Sequence, residues 1–248
     1  MITITIIVIL GPVGVGKSTM IKTVEGILKR EGFRVKKAFM KTFHGPSYLL
    51  WKFALKIMIK EKKDISLSKV APWIIISRLN ERLAWNLTLI SALLDIISIP
   101  AKVLVLSVRS YRNIVLCEEY LYGTLMDYIY TYIHAKSRKG SVILDIAVNL
   151  FYRLLLKYPP YLTVILDADN LALLERWRRR GYGEPQQEYL RFQKIFFNSF
   201  FVNRTSMNVM PLDTTGRDIH SVAYEIVSLI KFMIKKSRRS AMGVESKL

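Results

Sequence analysis

Five apolar or β-branched runs bounded by turn residues recur along the chain, near residues 3–10, 34–40, 113–117, 162–167 and 208–212. Such runs predict strands buried on both faces, as in a parallel sheet. Between them the hydrophobic spacing becomes helical. Helices are expected near 16–31, closed by Gly32, and near 47–63, 69–108 with breaks, 123–137, 141–157, 170–180, 185–203 and 218–236. This alternation predicts one doubly wound α/β domain over 1–236, followed by a basic flexible tail over 237–248.

The apolar start is short, has no basic residues before it and runs into a glycine loop, so it reads as a buried strand and not as a signal peptide. The longest apolar zone, 83–108, contains Asp95, Pro100 and Lys102. These interruptions predict a kinked, buried helix or helix pair, with no transmembrane segment. Hydrophobic residues make up 51% of the 248, enough for a substantial core. A single cysteine, Cys117, excludes an internal disulfide and a cysteine-based zinc site, and fits a reducing, cytoplasmic setting.

Charge changes the picture more. Thirty-eight Lys and Arg against nineteen acids leave +19. That excess predicts attraction to phosphates, nucleic acid or an anionic surface, or reflects solvent-facing lysines on helices.

The glycine loop carries the clearest chemistry. Gly11-Pro12-Val13-Gly14-Val15-Gly16-Lys17-Ser18 satisfies G-x-x-x-x-G-K-[ST], with a strand before it and a helix after it. Backbone N–H groups of such a loop surround a β-phosphate, and the helix N-terminus adds its partial positive charge. Lys17 is expected to reach the β- and γ-phosphates, Ser18 to ligate Mg²⁺, and Thr19 to complete the cradle. The chain is therefore expected to bind a nucleoside triphosphate.

Glu118 and Glu119 follow the strand at 113–117, at the carboxyl edge of the sheet where open α/β sheets bind ligands. Glu118 is expected near the metal or the acceptor, as metal partner or proton acceptor. Arg176, Arg178, Arg179 and Arg180 crowd one turn, and Gly181 and Gly183 follow. Arg176 and Arg179 are the candidates to stabilise a moving phosphoryl group from a lid. Asp213-Thr214-Thr215-Gly216 comes too late to be a GTPase switch, and no Asn-Lys-x-Asp segment exists. Thr215 is expected in a loop touching the nucleotide base. His44, His134 and His220 are too scattered for a metal cluster; His44 alone, beside Gly45-Pro46, is a substrate candidate. Tyr120 or Tyr122 could stack on a base, while most neighbouring tyrosines are core residues.

The order of these motifs resembles thymidylate kinase and its archaeal thymidylate-kinase-like relatives. The resemblance is carried by VILGPVGVGKST from Val8, IVLCEEY from Ile114 with Thr124-Leu125-Met126-Asp127, YPPYLTVILDADNLALLERWRRR from Tyr158, EPQQEYLRFQKIF from Glu184, and 212–226. It implies a three-layer α/β/α P-loop NTPase with a five-stranded parallel sheet and a helical lid, ATP as donor, and phosphorylation of a nucleoside monophosphate.

The departures fall on the acceptor side. Glu118-Glu119 stands where the family has Asp-Arg, Val13 replaces an acid in the loop, and Asp95 aligns with an arginine of the long middle helix. The arginine after the second strand is replaced within Lys41-Thr42-Phe43-His44. Lys41, His44, Arg78 and Tyr120 are the acceptor-binding candidates, with Arg82 and Arg109 as further cations. Expected partners are the triphosphate, a monophosphate, nucleic acid along the basic surface, and a second copy in a homodimer. The alternative function is a P-loop nucleotide-binding regulator or nucleic-acid-associated ATPase without monophosphate kinase activity.

Overall fold

Every residue of β1 (Ile6–Leu10) is buried, and this strand is the centre of a five-stranded parallel sheet ordered β2-β3-β1-β4-β5. The other strands are β2 (Val35–Phe39), β3 (Ile114–Glu118), β4 (Leu162–Asp167) and β5 (Val209–Asp213). The computed structural model describes residues 5–43, 45–60, 76, 80–134, 142–179, 187–202 and 208–241. The described helices are α1 (Lys17–Arg30), α2 (Pro46–Lys60), α3 (Glu81–Ser110), α4 (Tyr120–His134), α5 (Val142–Lys157), α6 (Asn170–Arg179), α7 (Gln187–Val202) and α8 (Ile219–Ala241).

The pleat of β1 divides the interior in two. Ile6, Val8 and Leu10 join Val115 and Cys117 against α3, α4 and α5, whereas Ile7 and Ile9 join Leu116 and Val164 against α1 and α8. Alternate side chains of a strand point to opposite faces, so one unbroken apolar run serves two helical layers. This is the three-layer α/β/α architecture expected from the sequence. The edges are marked by composition: β2 exposes Lys36 and Lys37, and β5 contains Pro211. Charge and proline both discourage pairing with a further strand.

Three expectations are corrected. Of the two forms expected for the long apolar zone the structure has the single helix, thirty residues without the expected breaks; Asn80 caps its start by accepting from the Leu83 N–H at 2.9 Å, and Pro100 lies inside it. Proline removes one ladder hydrogen bond and opposes helix continuation by about 3 kcal/mol. Ala92, Asp95, Ile99, Val103 and Leu106 are buried on both sides of it, and this packing holds the helix together. By length and composition alone α3 could cross a membrane, and it exposes Leu93, Ile97, Leu104 and Val108. Second, α8 continues to Ala241, five residues beyond the end expected at 236. Third, α4 begins three residues before the expected Gly123, at Tyr120.

Candidate functional site: a glycine loop facing a carboxylate-lined flank

The loop from β1 to α1 meets β4 so closely that a side chain at Gly11 has no room. A Cβ there would lie 2.2 Å from the Leu166 carbonyl oxygen. Gly16 has φ 101 and serves as N-cap of α1, so the first turn of the helix follows directly on the loop. Lys17 folds back over the loop. Its Nζ donates to the carbonyls of Gly11 at 2.8 Å and Pro12 at 3.2 Å, and pairs with Glu119 Oε1 at 3.0 Å. The lysine is 7% exposed.

Ser18 Oγ donates to the Glu118 carboxylate, 2.9 Å from Oε2 and 3.1 Å from Oε1. One hydroxyl and one carboxylate, both hard oxygen donors, thus meet at the start of α1. Mg²⁺ characteristically takes one or two protein oxygens and fills its other positions with phosphate and water, so this pair fits it. Among the described residues no group of three His, Cys, Asp or Glu could hold a metal by itself.

Beside the loop is a cavity of about 290 Å³ lined by Gly14, Thr19, Arg176, Arg179, Thr214 and Arg217, among others. Arg176 Nη1 donates to the Val15 carbonyl at 3.3 Å, which fixes the guanidinium against the loop. Arg179 reaches the same cavity but is exposed and paired with Glu175. From the far side, Gln193 on α7 contributes Oε1, which accepts from the Val13 N–H at 3.0 Å. Gln193 is fully buried.

The opposite flank, at the ends of β2 and β3, is built from carboxyls and lysines. Lys41 Nζ lies 3.9 Å from Glu119 Oε1. Asp127, on α4, accepts from the Tyr189 hydroxyl at 2.6 Å. Burial pushes the Asp127 carboxyl up to about 6, against the pull of Lys41, the Tyr189 hydrogen bond and Lys17. Asp95 is fully buried and accepts from Ser47 Oγ at 2.6 Å, the Tyr128 hydroxyl at 2.9 Å and the Phe43 N–H at 3.4 Å. Burial raises its pKa as well, opposed by those same bonds and by Lys102. Phe43 stands edge-on to Trp51 and Tyr128, with ring centres 5.3 and 5.9 Å away.

A thymidylate kinase from Candida albicans has a similar structure, with a TM-score of 0.53 at 17% identity over 92% of this chain and 91% of that one. The two share a fold, a five-stranded parallel sheet between helical layers. No family model matches the sequence, and no curated protein matches it significantly. That neighbour is a thymidylate kinase with a broad substrate specificity and a novel structural element.

Within this fold the expected site residues separate. Gly11 to Thr19, Glu118 and Arg176 converge on one edge of the sheet. Lys41 joins them from the segment just after β2, 3.9 Å from Glu119. Tyr120 does not offer a stacking face: it is fully buried, its hydroxyl donates to the Tyr158 carbonyl at 2.9 Å, and burial raises its pKa. An apolar ring at the first turn of α4 is worth more in the core than in a cleft. Thr215 is also displaced from its expected role. Its N–H donates to Asp213 Oδ1 and its Oγ1 accepts from the Asp169 N–H, so it faces a separate cavity over β4 and β5, while Thr214 and Arg217 line the loop cavity. His44, Arg78, Arg180, Gly181 and Gly183 lie outside the described residues.

Sequence reasoning missed Gln193, Asp127, Tyr189 and Arg217 as site residues. All four fall inside stretches that carry the family resemblance, yet nothing local marks any of them as a site residue. Each is brought in by packing across more than sixty positions of chain or by a loop turn.

Proposed function

We propose that this chain transfers the γ-phosphoryl group of Mg-ATP to a nucleoside-class acceptor, as a thymidylate-kinase-like phosphotransferase. The monophosphate implied by the family resemblance is one form of such an acceptor and the nucleoside is the other. The observation that supports this most is the joint placement of Lys17, the Ser18–Glu118 pair and the Arg176–Thr214–Arg217 cavity around one loop. The cavity has the position for the donor's nucleoside, and the loop N–H groups have the position for its phosphates.

The work of the residues is positioning and charge neutralisation. Lys17 leaves the Gly11 and Pro12 carbonyls to hold the β- and γ-phosphates. Ser18 and Glu118 would hold Mg²⁺, which when bound would supply positive charge against the charge that develops on the phosphates. Arg176, already fixed against Val15, presents donors to the phosphate tail. Lys41 faces the acceptor.

The test is ADP release from Mg-ATP on adding a mixture of nucleosides and nucleoside monophosphates. We expect acceptor-dependent release that falls at least a hundredfold in Lys17→Ala. Folded protein giving no ADP above background would overturn the reading. A second reading is a nucleotide-binding regulator or nucleic-acid-associated ATPase, favoured by the +19 charge. It requires nucleic acid binding that weakens steeply with salt, and absence of binding at low salt removes it.

A further inference from the structure

The helical layer over the Ile6–Val8–Leu10 face of the sheet turns apolar side chains outward as well as inward. On α3 the positions Ile90, Leu93, Ile97, Ala101, Leu104 and Val108 are all exposed. Steps of three and four residues keep them on one stripe, which runs for about 27 Å of helix. The buried row of Asp95, Ile99, Val103 and Leu106 lies on the other side. None of the six outward residues is polar, and Ile97 and Val108 are 75% and 76% exposed. A helix with one apolar face needs one core; α3 has a second face left over.

Its neighbours repeat the feature. α2 and α5 both pack on α3 and send Trp51, Leu55, Leu144 and Phe151 into the same core cluster, so their outer faces belong to the same layer. α2 exposes Leu49, Phe53 and Ile57, each one turn from the next, and α5 exposes Val142, Ile146 and Leu156. Scattered surface hydrophobes need no explanation, but rows of them on three adjacent helices mark a surface that meets a partner.

Charge selects the partner. Lys52 and Lys56 flank Phe53 on α2, Arg82 and Arg109 stand in the first and last turns of α3, and Arg153 and Lys157 lie on α5, all exposed. Among the described residues of these helices the exposed acids are Glu81 and Asp145. A second copy of the chain would set this cationic surface against itself, and like charges brought together oppose association. Nucleic acid would pair with the cations and leave the apolar rows in water. An anionic bilayer satisfies both chemistries: its headgroups take Lys and Arg, and the boundary of its acyl chains takes Leu, Ile and Phe.

The contact is with the surface of the bilayer and does not cross it. Asp95 sits at the middle of α3, fully buried, and accepts from Ser47 and Tyr128. A crossing helix would lose those partners and carry the carboxylate into hydrocarbon. With the domain intact, only the outward stripe is available to lipid.

We infer that the outer faces of α2, α3 and α5 dock this chain on an anionic membrane surface, with α3 lying along it and its apolar stripe at the headgroup–acyl boundary. The glycine loop opens at the carboxyl edge of the sheet and not on this face, so the inference stands apart from the phosphoryl-transfer reading.

The test is flotation of the purified full-length chain with vesicles of equimolar phosphatidylglycerol and phosphatidylcholine, and with vesicles of phosphatidylcholine alone, at graded salt. We expect partitioning at least tenfold stronger onto the anionic vesicles, weakening as salt rises. I97D combined with L104D puts two carboxylates on the stripe at exposed positions and should lower that partitioning at least tenfold, with an unchanged thermal melt. K52E combined with K56E keeps every apolar residue and should remove most of the preference for anionic lipid. No partitioning at low salt overturns the inference, as does equal partitioning onto both vesicles. Partitioning that is unchanged in folded I97D/L104D assigns the binding to charge elsewhere and overturns this face. A dimer in sedimentation that I97D/L104D splits, in a chain that ignores vesicles, gives the face to a second copy and overturns the inference as well.

Discussion

The Tyr189 hydroxyl donates to Asp127 Oδ1 at 2.6 Å, tying α7, which reaches the phosphate loop through Gln193, to α4 on the acceptor flank. One hydrogen bond therefore links the two halves of the site. Its acceptor is a carboxyl that burial has moved up to about 6.

That shift makes stability depend on pH in a stated direction. An acid whose folded pKa lies above its unfolded value near 3.9 binds more protons when folded. The contribution is present below about 4 and is lost as pH rises to about 6, an effect on the order of 3 kcal/mol. D127N keeps an oxygen for Tyr189 and removes the ionisation. We expect its melting temperature, relative to the parent, to rise between pH 4 and pH 7, as followed by circular dichroism. A constant difference across that range would refute the assignment.

Gly123 reverses an ordinary rule. Replacing a helix-interior glycine by alanine normally stabilises by about 1 kcal/mol. Here the new methyl would lie 2.4 Å from Glu119 Oε2 and 2.8 Å from its Cβ. G123A should therefore lower the melting temperature by several degrees and weaken ATP binding, because the displaced carboxylate is the partner of Lys17. Adding E119G, which removes both contacts and relaxes φ 71, should restore the melting temperature. Failure of that rescue would mean the clash lies elsewhere.

The Ser18–Glu118 pair predicts a specific metal phenotype. E118Q preserves the hydrogen bond from Ser18 but lowers the charge available to Mg²⁺. The half-saturating Mg²⁺ concentration for ATP binding should rise ten- to a hundredfold, with metal-free ATP binding little changed. Isothermal titration at graded Mg²⁺ reads both. Equal losses with and without metal would assign Glu118 to the nucleotide instead.

Gln193 tests whether α7 supports the loop. Q193L leaves the Val13 N–H without its described acceptor, a loss of about 1–3 kcal/mol for a buried group. Q193E adds negative charge beside the phosphates and should weaken Mg-ATP binding at least tenfold more than Q193L does. Similar affinities for the two variants in a titration would show that the side chain acts only through packing.

The expectations that held were those written in local pattern. The central apolar runs were strands covered on both faces, as β1 is by two separate clusters, while the edge strands β2 and β5 stay partly exposed. The glycine loop was recognisable because its spacing is itself the binding geometry. Pro100 misled because a local penalty of about 3 kcal/mol was set against long-range packing of α3 that no window of sequence displays. Tyr120 misled in the same way: its position after β3 was right for a site, yet its left-handed backbone turned the ring into the core.

What the amino-acid sequence determined alone is the strand–loop–helix that carries the glycine motif, and the alternation that makes a parallel α/β sheet. Both follow from periodicity and from glycines only a few residues apart. What only the tertiary structure decided is the company of Lys17: Glu119 from the end of β3, Gln193 from α7 and Arg176 from α6. Those partners are about a hundred to 180 residues away in the chain. Hydrophobic burial of strands and helices brings them together, and it leaves no local spacing from which their meeting could be read.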